Sequence, residues 1–271
     1  MSKSLKKRLY ASIFSLSMLM SVLIGLLLLT WHHILNLIIY NITIGPLSFN
    51  EMGSIFLDDI YVAHSRSGFD LFAPILAVLP AATMFCEDYN SGYLIMILSR
   101  SDRRKYLKET YLCSTICGGL AIFIPSILSS VFYIINGKTN TIENMKYGYS
   151  TVFDESVFAD IQYMYGGGLL VGLLLVLSFV FGAIWSNVGL YISVLLPKRY
   201  IALASPFVIY FALHLIFYRI GTLLVLSPAN MLMPAATFIP NKIFPFCYQV
   251  IMFAMVTILY NCAIKRRLQD V

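Results

Sequence analysis

Four histidines, five cysteines and thirteen acidic residues are the groups with which this chain could ligate a metal, attack a carbonyl or pass a proton. Their spacing serves none of those reactions. His32 and His33 are adjacent but have no further ligand at helical spacing. No His-Glu-x-x-His run exists to hold zinc beside a general base, so the pair reads as solvated residues at a membrane interface. Gly137-Lys138-Thr139 ends like a phosphate-binding loop, yet that motif requires a glycine where this chain has Phe132. Gly166-Gly167-Gly168 opens an apolar run with no strand before it, which suits close helix packing rather than a phosphate cradle. Cys113 and Cys117 share a helix face at i, i+4. With Cys86, Cys247 and Cys262 they lie in or beside apolar runs, as small packing residues and not a disulfide framework. His214 is expected to be hydrogen-bonded inside a helix bundle, and Arg219 to extend toward an interface. With no nucleophile beside a base and no paired carboxylates, no enzyme is expected and no cofactor within this chain.

The elements that must position these groups are overwhelmingly apolar. Of 271 residues, 59% are hydrophobic and 12% charged, about half the charged fraction of a soluble domain. The mean hydropathy is +0.80. That is too little polar surface to coat a soluble particle, and it excludes a soluble enzyme, a disordered tail and a disulfide-stapled secreted domain. The expectation is a single all-α transmembrane domain over residues 1–271, with six spans near 9–30, 69–86, 110–135, 164–196, 200–218 and 243–264. A helix needs about 20 apolar residues to cross a bilayer. The first run follows Lys6-Lys7-Arg8, is too long for a signal peptide and lacks a small-residue cleavage site. The second contains Pro74 and Pro80. The fourth is uncharged from Met164 to Leu196, about 50 Å as a helix, and is expected to project from the membrane or break near Asn187 and Gly189.

Residues 221–241 are also uncharged, but Pro228, Pro234 and Pro240 interrupt them. A seventh span there would carry Lys265-Arg266-Arg267 outside, against the positive-inside rule. A re-entrant or interfacial segment on the outer side is expected instead. Six spans with both termini in the cytosol put fourteen Lys and Arg inside and five outside (Arg66, Lys138, Lys146, Arg219 and Lys242). The net charge of +6 therefore reads as topology, and no nucleic-acid partner is expected. The outer loops, roughly 31–68 and 136–163, are expected to pack on each other or on a second subunit. Ionisable residues at mid-membrane depth are nearly absent, so an ion gradient harvested within this chain is not the expected energy source for any uphill transport.

One cytosolic stretch carries a distinct pattern. Phe85 to Tyr111 runs through Glu87-Asp88-Tyr89-Asn90-Ser91-Gly92, then the apolar Tyr93–Leu98, then Ser99-Arg100-Ser101-Asp102-Arg103-Arg104-Lys105. Asn90 or Ser91 is placed to cap a short helix, with acidic residues beside its positive end. Ser101 with Asp102 resembles a second helix start leading into the third span. A short helix apolar on almost every face must bury in the bilayer interface, in its own bundle or in a partner's groove. The charges of Glu87, Asp88, Arg103 and Arg104 suit a polar rim around such a docking site. The residues alone leave the interface and the partner open.

An apolar span ending in Glu, a Gly about five residues later, Leu-Leu-Ser, an Arg-containing turn and a Lys opening the next helix form a family pattern. Glu87, Gly92, Leu98-Ser99, Arg103 and Lys108 follow it in order. In this segment the chain resembles the ABC-2 type membrane permeases, the transmembrane subunits of bacterial ABC exporters. Two features depart from the pattern. Arg100-Ser101 stands where many members have a proline, and few residues precede Leu9 to form an amphipathic helix along the membrane surface.

The resemblance implies a multi-pass permease in the bacterial plasma membrane, with six spans, cytosolic termini and a re-entrant outer segment. It implies a second permease subunit, identical or different, membrane lipid around both, and a separate cytosolic ABC ATPase that carries ATP and magnesium. Residues 87–109 are then the coupling loop, with Glu87, Asp88, Tyr89, Ser91, Gly92, Tyr93, Leu98, Ser99, Arg103, Arg104 and Lys108 contacting the ATPase. With 18 Tyr and 19 Phe, a lipophilic or peptide cargo fits the apolar helix faces. The alternative is a non-transporting membrane assembly or sensory protein that binds a cytosolic partner through the same loop.

Overall fold

The computed structural model describes residues 3–40, 68–100, 103–135, 164, 167–232 and 241–267. Among the described residues every regular element is a helix, and no strand occurs. Four helices are long and apolar enough to cross a membrane, and a bent pair at the N-terminus makes a fifth candidate. That is the architecture of a multi-pass membrane protein.

The bent pair divides the first apolar run. Helix α1 covers Lys3–Ile13 and α2 covers Leu16–Tyr40, with a 46° angle between them. Ser15 makes the break. Its hydroxyl accepts the Met18 amide at 3.2 Å and donates to the Ser12 carbonyl at 2.6 Å, which caps α2 and ends α1 together. Leu9–Ile13 thus leaves the expected span and joins the residues before it in an eleven-residue amphipathic helix. Leu5, Leu9 and Ser12 are buried on one face, while Lys6, Lys7 and Tyr10 are exposed on the other. The apolar face packs on Ala81, Cys113 and Cys117. The short surface segment expected from sequence is therefore a docked helix.

The second apolar run is also broken. Helix α3 spans Phe69–Val78 and α4 spans Met84–Asn90, with turns between them around Pro80. Ten residues of α-helix extend about 15 Å, half a hydrocarbon core. Pro80 has no amide for the Leu76 carbonyl. That carbonyl instead accepts the Ser21 hydroxyl of α2 at 2.8 Å, so the proline break is satisfied by a neighbouring helix. A second short helix, α5, covers Tyr93–Arg100.

Helices α6, Arg103–Ile135, and α7, Gly167–Leu195, form the central pair. Small residues let their backbones meet. A side chain at Gly182 would run into the Gly118 carbonyl, and one at Gly118 into Ser186. Ser114 and Ser186 share a hydrogen bond of 2.9 Å, and Asn187 donates to Thr115 at 2.9 Å. The break expected near Asn187 and Gly189 does not occur. Asn187 donates across the helix pair, a side chain at Gly189 would come within about 3 Å of Val78 and Ala82, and α7 continues without a break. Trp185 and Phe181 of α7 stand edge-on to Tyr210, with Trp185–Tyr210 centroids 5.2 Å apart. This is the centre of the core, shared with Leu29, Phe69, Ile122 and Val256.

Helix α8, Arg199–Ile220, ends at Gly221, whose φ of 63° lies in the left-handed half of backbone space. The chain then turns back on the bundle through a 3-10 turn, Leu224–Leu226, and the single-turn helix α9, Pro228–Leu232. Met231 and Leu232 are buried there. His214 bonds Ser227 at 2.8 Å, Tyr248 donates to the Leu226 carbonyl, and Gln249 donates to the Met231 carbonyl. His214 is thus a bundle hydrogen-bonding residue. Residues 31–40 of the first expected outer loop instead continue α2, while residues 41–67 and 136–163, residues 233–240 of the proline-interrupted segment, and Ser101-Asp102 lie outside the described residues. Helix α10, Phe244–Arg267, closes the bundle against α7.

Candidate functional site

The candidate site lies at the end of the bundle where α4, α5 and the start of α6 meet α1 and the α7–α8 turn. Its scaffold begins with Gly92. The φ of 71° there suits a residue without a side chain. This glycine ends α4, where its amide reaches the Tyr89 carbonyl, and starts α5, where its carbonyl receives the Ile95 amide. Neither Asn90 nor Ser91 caps α5 in the usual way. Asn90 instead reaches across to the Pro197 carbonyl at 3.1 Å, which ties α4 to the turn before α8. Ser91 is exposed, and its hydroxyl lies 3.4 Å from the Tyr93 amide.

Asp88 does not stand on a rim. It turns inward and receives two hydrogen bonds on one oxygen, from Arg8 at 3.0 Å and from the Tyr106 hydroxyl at 2.7 Å. Arg8 also donates to Thr110 at 3.1 Å, and its guanidinium lies over the Tyr106 ring, 4.8 Å from the centroid. Both charged side chains of the pair are less than one-fifth exposed. In such partly dry surroundings a charge-assisted pair backed by a ring holds its geometry far better than an exposed one. Ser4 adds a 2.6 Å bond to Glu109. Together these contacts latch α1 onto α4 and α6.

Glu87, one residue earlier, faces outward. Thr83 donates to it at 3.0 Å, and Arg199 approaches within 3.8 Å, with both charged side chains more than half exposed. Such a pair contributes little to stability, and its carboxylate is accessible. Tyr89 stacks on Phe85, ring centroids 6.3 Å apart.

Helix α5 is rooted by one residue. Leu94 is buried among Phe85, Tyr106, Leu190, Val194 and Tyr260. Tyr93, Ile95 and Met96 on its other sides are 51%, 67% and 60% exposed. The helix that sequence reasoning required to bury somewhere is therefore half-docked on its own bundle, with an apolar face presented outward. Leu98 and Ser99 belong to α5 and Arg103 opens α6, but their side chains lie outside the described residues. Arg104 and Lys108 point elsewhere, to a groove between α6 and α10.

Of the eleven residues selected from sequence, the eight with described side-chain environments thus separate into three settings. Asp88 and Tyr89 hold the scaffold, Glu87, Ser91 and Tyr93 are exposed around the half-buried Gly92, and Arg104 with Lys108 lines the groove. Arg8, Tyr106, Thr110 and Arg199 were not selected. Arg8 is separated from Asp88 by 80 positions, so no local spacing reports the pair.

Among the described residues no cluster of three His, Cys, Asp or Glu could hold a metal. The Cys113 and Cys117 sulfurs, 4.0 Å apart, are buried against α1. What the site presents is a turn fixed at Gly92, an accessible carboxylate and an exposed apolar helix face. Comparison with protein-family models, curated proteins and solved structures finds no match to this chain.

Proposed function

We infer that this chain is the membrane-spanning permease subunit of an ATP-driven ABC exporter, of the ABC-2 type that the 85–111 pattern resembles. Residues 87–109 couple it to a separate cytosolic ATPase. Six spans with cytosolic termini complete the reading, α3 and α4 together serving as the second, broken span. The observation that carries it is helix α5: Leu94 is buried beneath it while Tyr93, Ile95 and Met96 face outward beside the accessible Glu87. An apolar helix face with a charged neighbour is the form taken by a surface that a partner's groove covers.

Force applied to α5 has a stiff path into the membrane. Gly92 joins it to α4, Asp88 joins α4 to α1 and α6, and Asn90 joins α4 to the α7–α8 turn. ATP-driven closure of two ATPases would then bias the permease pair between inward- and outward-open states, because nucleotide favours one of them energetically. A second permease subunit covers part of the apolar surface left on α8, and the cargo path follows that interface.

A photo-crosslinking amino acid at Ile95, in cells that make the protein natively, tests the reading. The expected adduct, identified by mass spectrometry, is a P-loop ATPase. An adduct with a different cytosolic protein would overturn it in favour of an assembly or sensory role, and an adduct with lipid alone would overturn it in favour of a loop buried in the bilayer interface.

A further inference from the structure

One carboxylate of the bundle core plays no part in the coupling surface. Asp70 lies in the first turn of α3, next to the fully buried Phe69. Its Oδ1 is sealed from solvent and accepts no hydrogen bond. Tyr210 of α8, 1% exposed, likewise buries a hydroxyl that bonds to nothing. Helices α3 and α8 pack on each other, and Asp70 stands close enough to act electrostatically on that hydroxyl. Trp185 and Phe181 hold the Tyr210 ring edge-on. Tyr210 follows Arg199, where α8 begins, by eleven residues, about 16 Å of helix and so roughly halfway across a hydrocarbon core.

An ionised carboxylate at this place is uncompensated. The elements packed on α3 are α2, α6, α7, α8 and α9. Helices α7 and α9 contain no charged residue, and the charges of α6 all lie between Arg103 and Glu109 at its cytosolic start. Helix α8 has Arg199 and Arg219 at its ends and His214, which is taken by Ser227. The His32 and His33 side chains of α2 lie outside the described residues. Among the described residues no cation acts on Asp70. The first turn of a helix offers an anion its partial positive charge, which is small beside the cost of drying an unpaired carboxylate. One positive charge must accompany the group. A hard metal cation needs about six oxygens, whereas the core around Tyr210 is Phe69, Phe181 and Trp185. A proton needs one.

We propose that Asp70 and Tyr210 form an intramembrane site for a single exchangeable proton. The carboxyl holds it, and the neutral acid tolerates the unbonded arrangement of the two groups. Releasing the proton to water leaves an anion that the Tyr210 O–H must reach, which couples protonation to the packing of α3 on α8. Ionisable groups inside a membrane bundle serve such relays. This inference goes beyond the exporter reading: it rests on the chain's membrane location and not on its coupling to an ATPase.

Infrared spectroscopy of the full-length protein in lipid nanodiscs tests it. At neutral pH the spectrum is expected to contain a carboxylic acid C=O band that shifts in heavy water, moves on labelling with carbon-13 aspartate and is lost in Asp70→Asn. The labelling result needs no variant, so it decides the matter even where Asp70→Asn does not fold. Glu87→Gln, at an exposed carboxylate, should leave the band in place. Tyr210→Phe takes away the anion's donor and should hold the band to higher pH than in the unaltered protein. Absence of the band from the unaltered protein at neutral pH, or its survival in Asp70→Asn, would overturn the proposal. So would a band that appears only when sodium is withdrawn, which would make the site one for a metal cation. An identical pH profile in Tyr210→Phe would refute the pairing of the two residues.

Discussion

Arg8 does two things at once that its position before an apolar run does not distinguish. Under the exporter reading it belongs to the basic cluster that orients the first span, and in the structure it supplies the partner of the inward-facing Asp88, shared with Tyr106. Arg8→Ala leaves a carboxylate that is less than one-fifth exposed without its cation. The expected cost is about 1–3 kcal/mol, read as a lower apparent Tm in detergent. Arg8→Ala with Asp88→Ala should recover part of that loss, because the unpaired charge is removed with its partner. Gly92 makes an opposite case. A side chain there meets nothing within 4 Å, so Gly92→Ala is resisted by backbone conformation alone, at about 1–2 kcal/mol. Its effect should appear as weakened ATPase capture with little loss of expression, and Gly92→Asn should be milder. Gly92 was legible in the sequence because only its own neighbours define the turn. The Arg8–Asp88–Tyr106 arrangement was not, since it exists only once α1 has folded back on α4 and α6.

Between elements, the decisive contact is α6 on α7. Gly118→Val would drive a branched side chain into Ser186 and the Gly182 carbonyl, neither of which has a flexible end to move aside. Overpacking of this kind costs about 1–3 kcal/mol when side chains can adjust, and more where backbone is the obstacle. Loss of a monodisperse peak in size-exclusion chromatography is the expected result. On α5, Leu94→Asp should destabilise the bundle end, whereas Ile95→Asp should leave Tm unchanged and abolish partner capture. That contrast separates the residue that roots the helix from those that present it. The long uncharged runs announced α6, α7, α8 and α10 directly. The breaks in the first two runs were harder to place. Pro74 and Pro80 were visible, but whether they kink a helix or divide it depended on Ser21 taking up the stranded Leu76 carbonyl. The cap at Ser15 lies within an apolar run, where serine also serves as an ordinary packing residue. At Asn187 and Gly189 the composition pointed to a break, and cross-helix partners instead kept α7 continuous.

Across the whole molecule, burial is uneven. The apolar window of α7 is 56% buried, that of α8 only 17%. Helix α7 is the axle of the bundle, whereas most of α8 is exposed. The topology under the exporter reading puts Thr222, exposed just past the Gly221 turn, on the outer side. Thr222→Cys, in a background without the exposed Cys247 and Cys262, should react with a membrane-impermeant thiol reagent in intact cells. Labelling only after the cytosolic face is opened would reverse the topology. The central claim, that the α4–α5 surface engages an ATPase, is tested most directly by mild-detergent purification of the tagged protein from native membranes, with quantitative mass spectrometry of what accompanies it. The account predicts a P-loop ATPase in stoichiometric amount, lost on Glu87→Arg while the permease remains monodisperse. A preparation that holds no ATPase, even after crosslinking in the intact membrane, would contradict it.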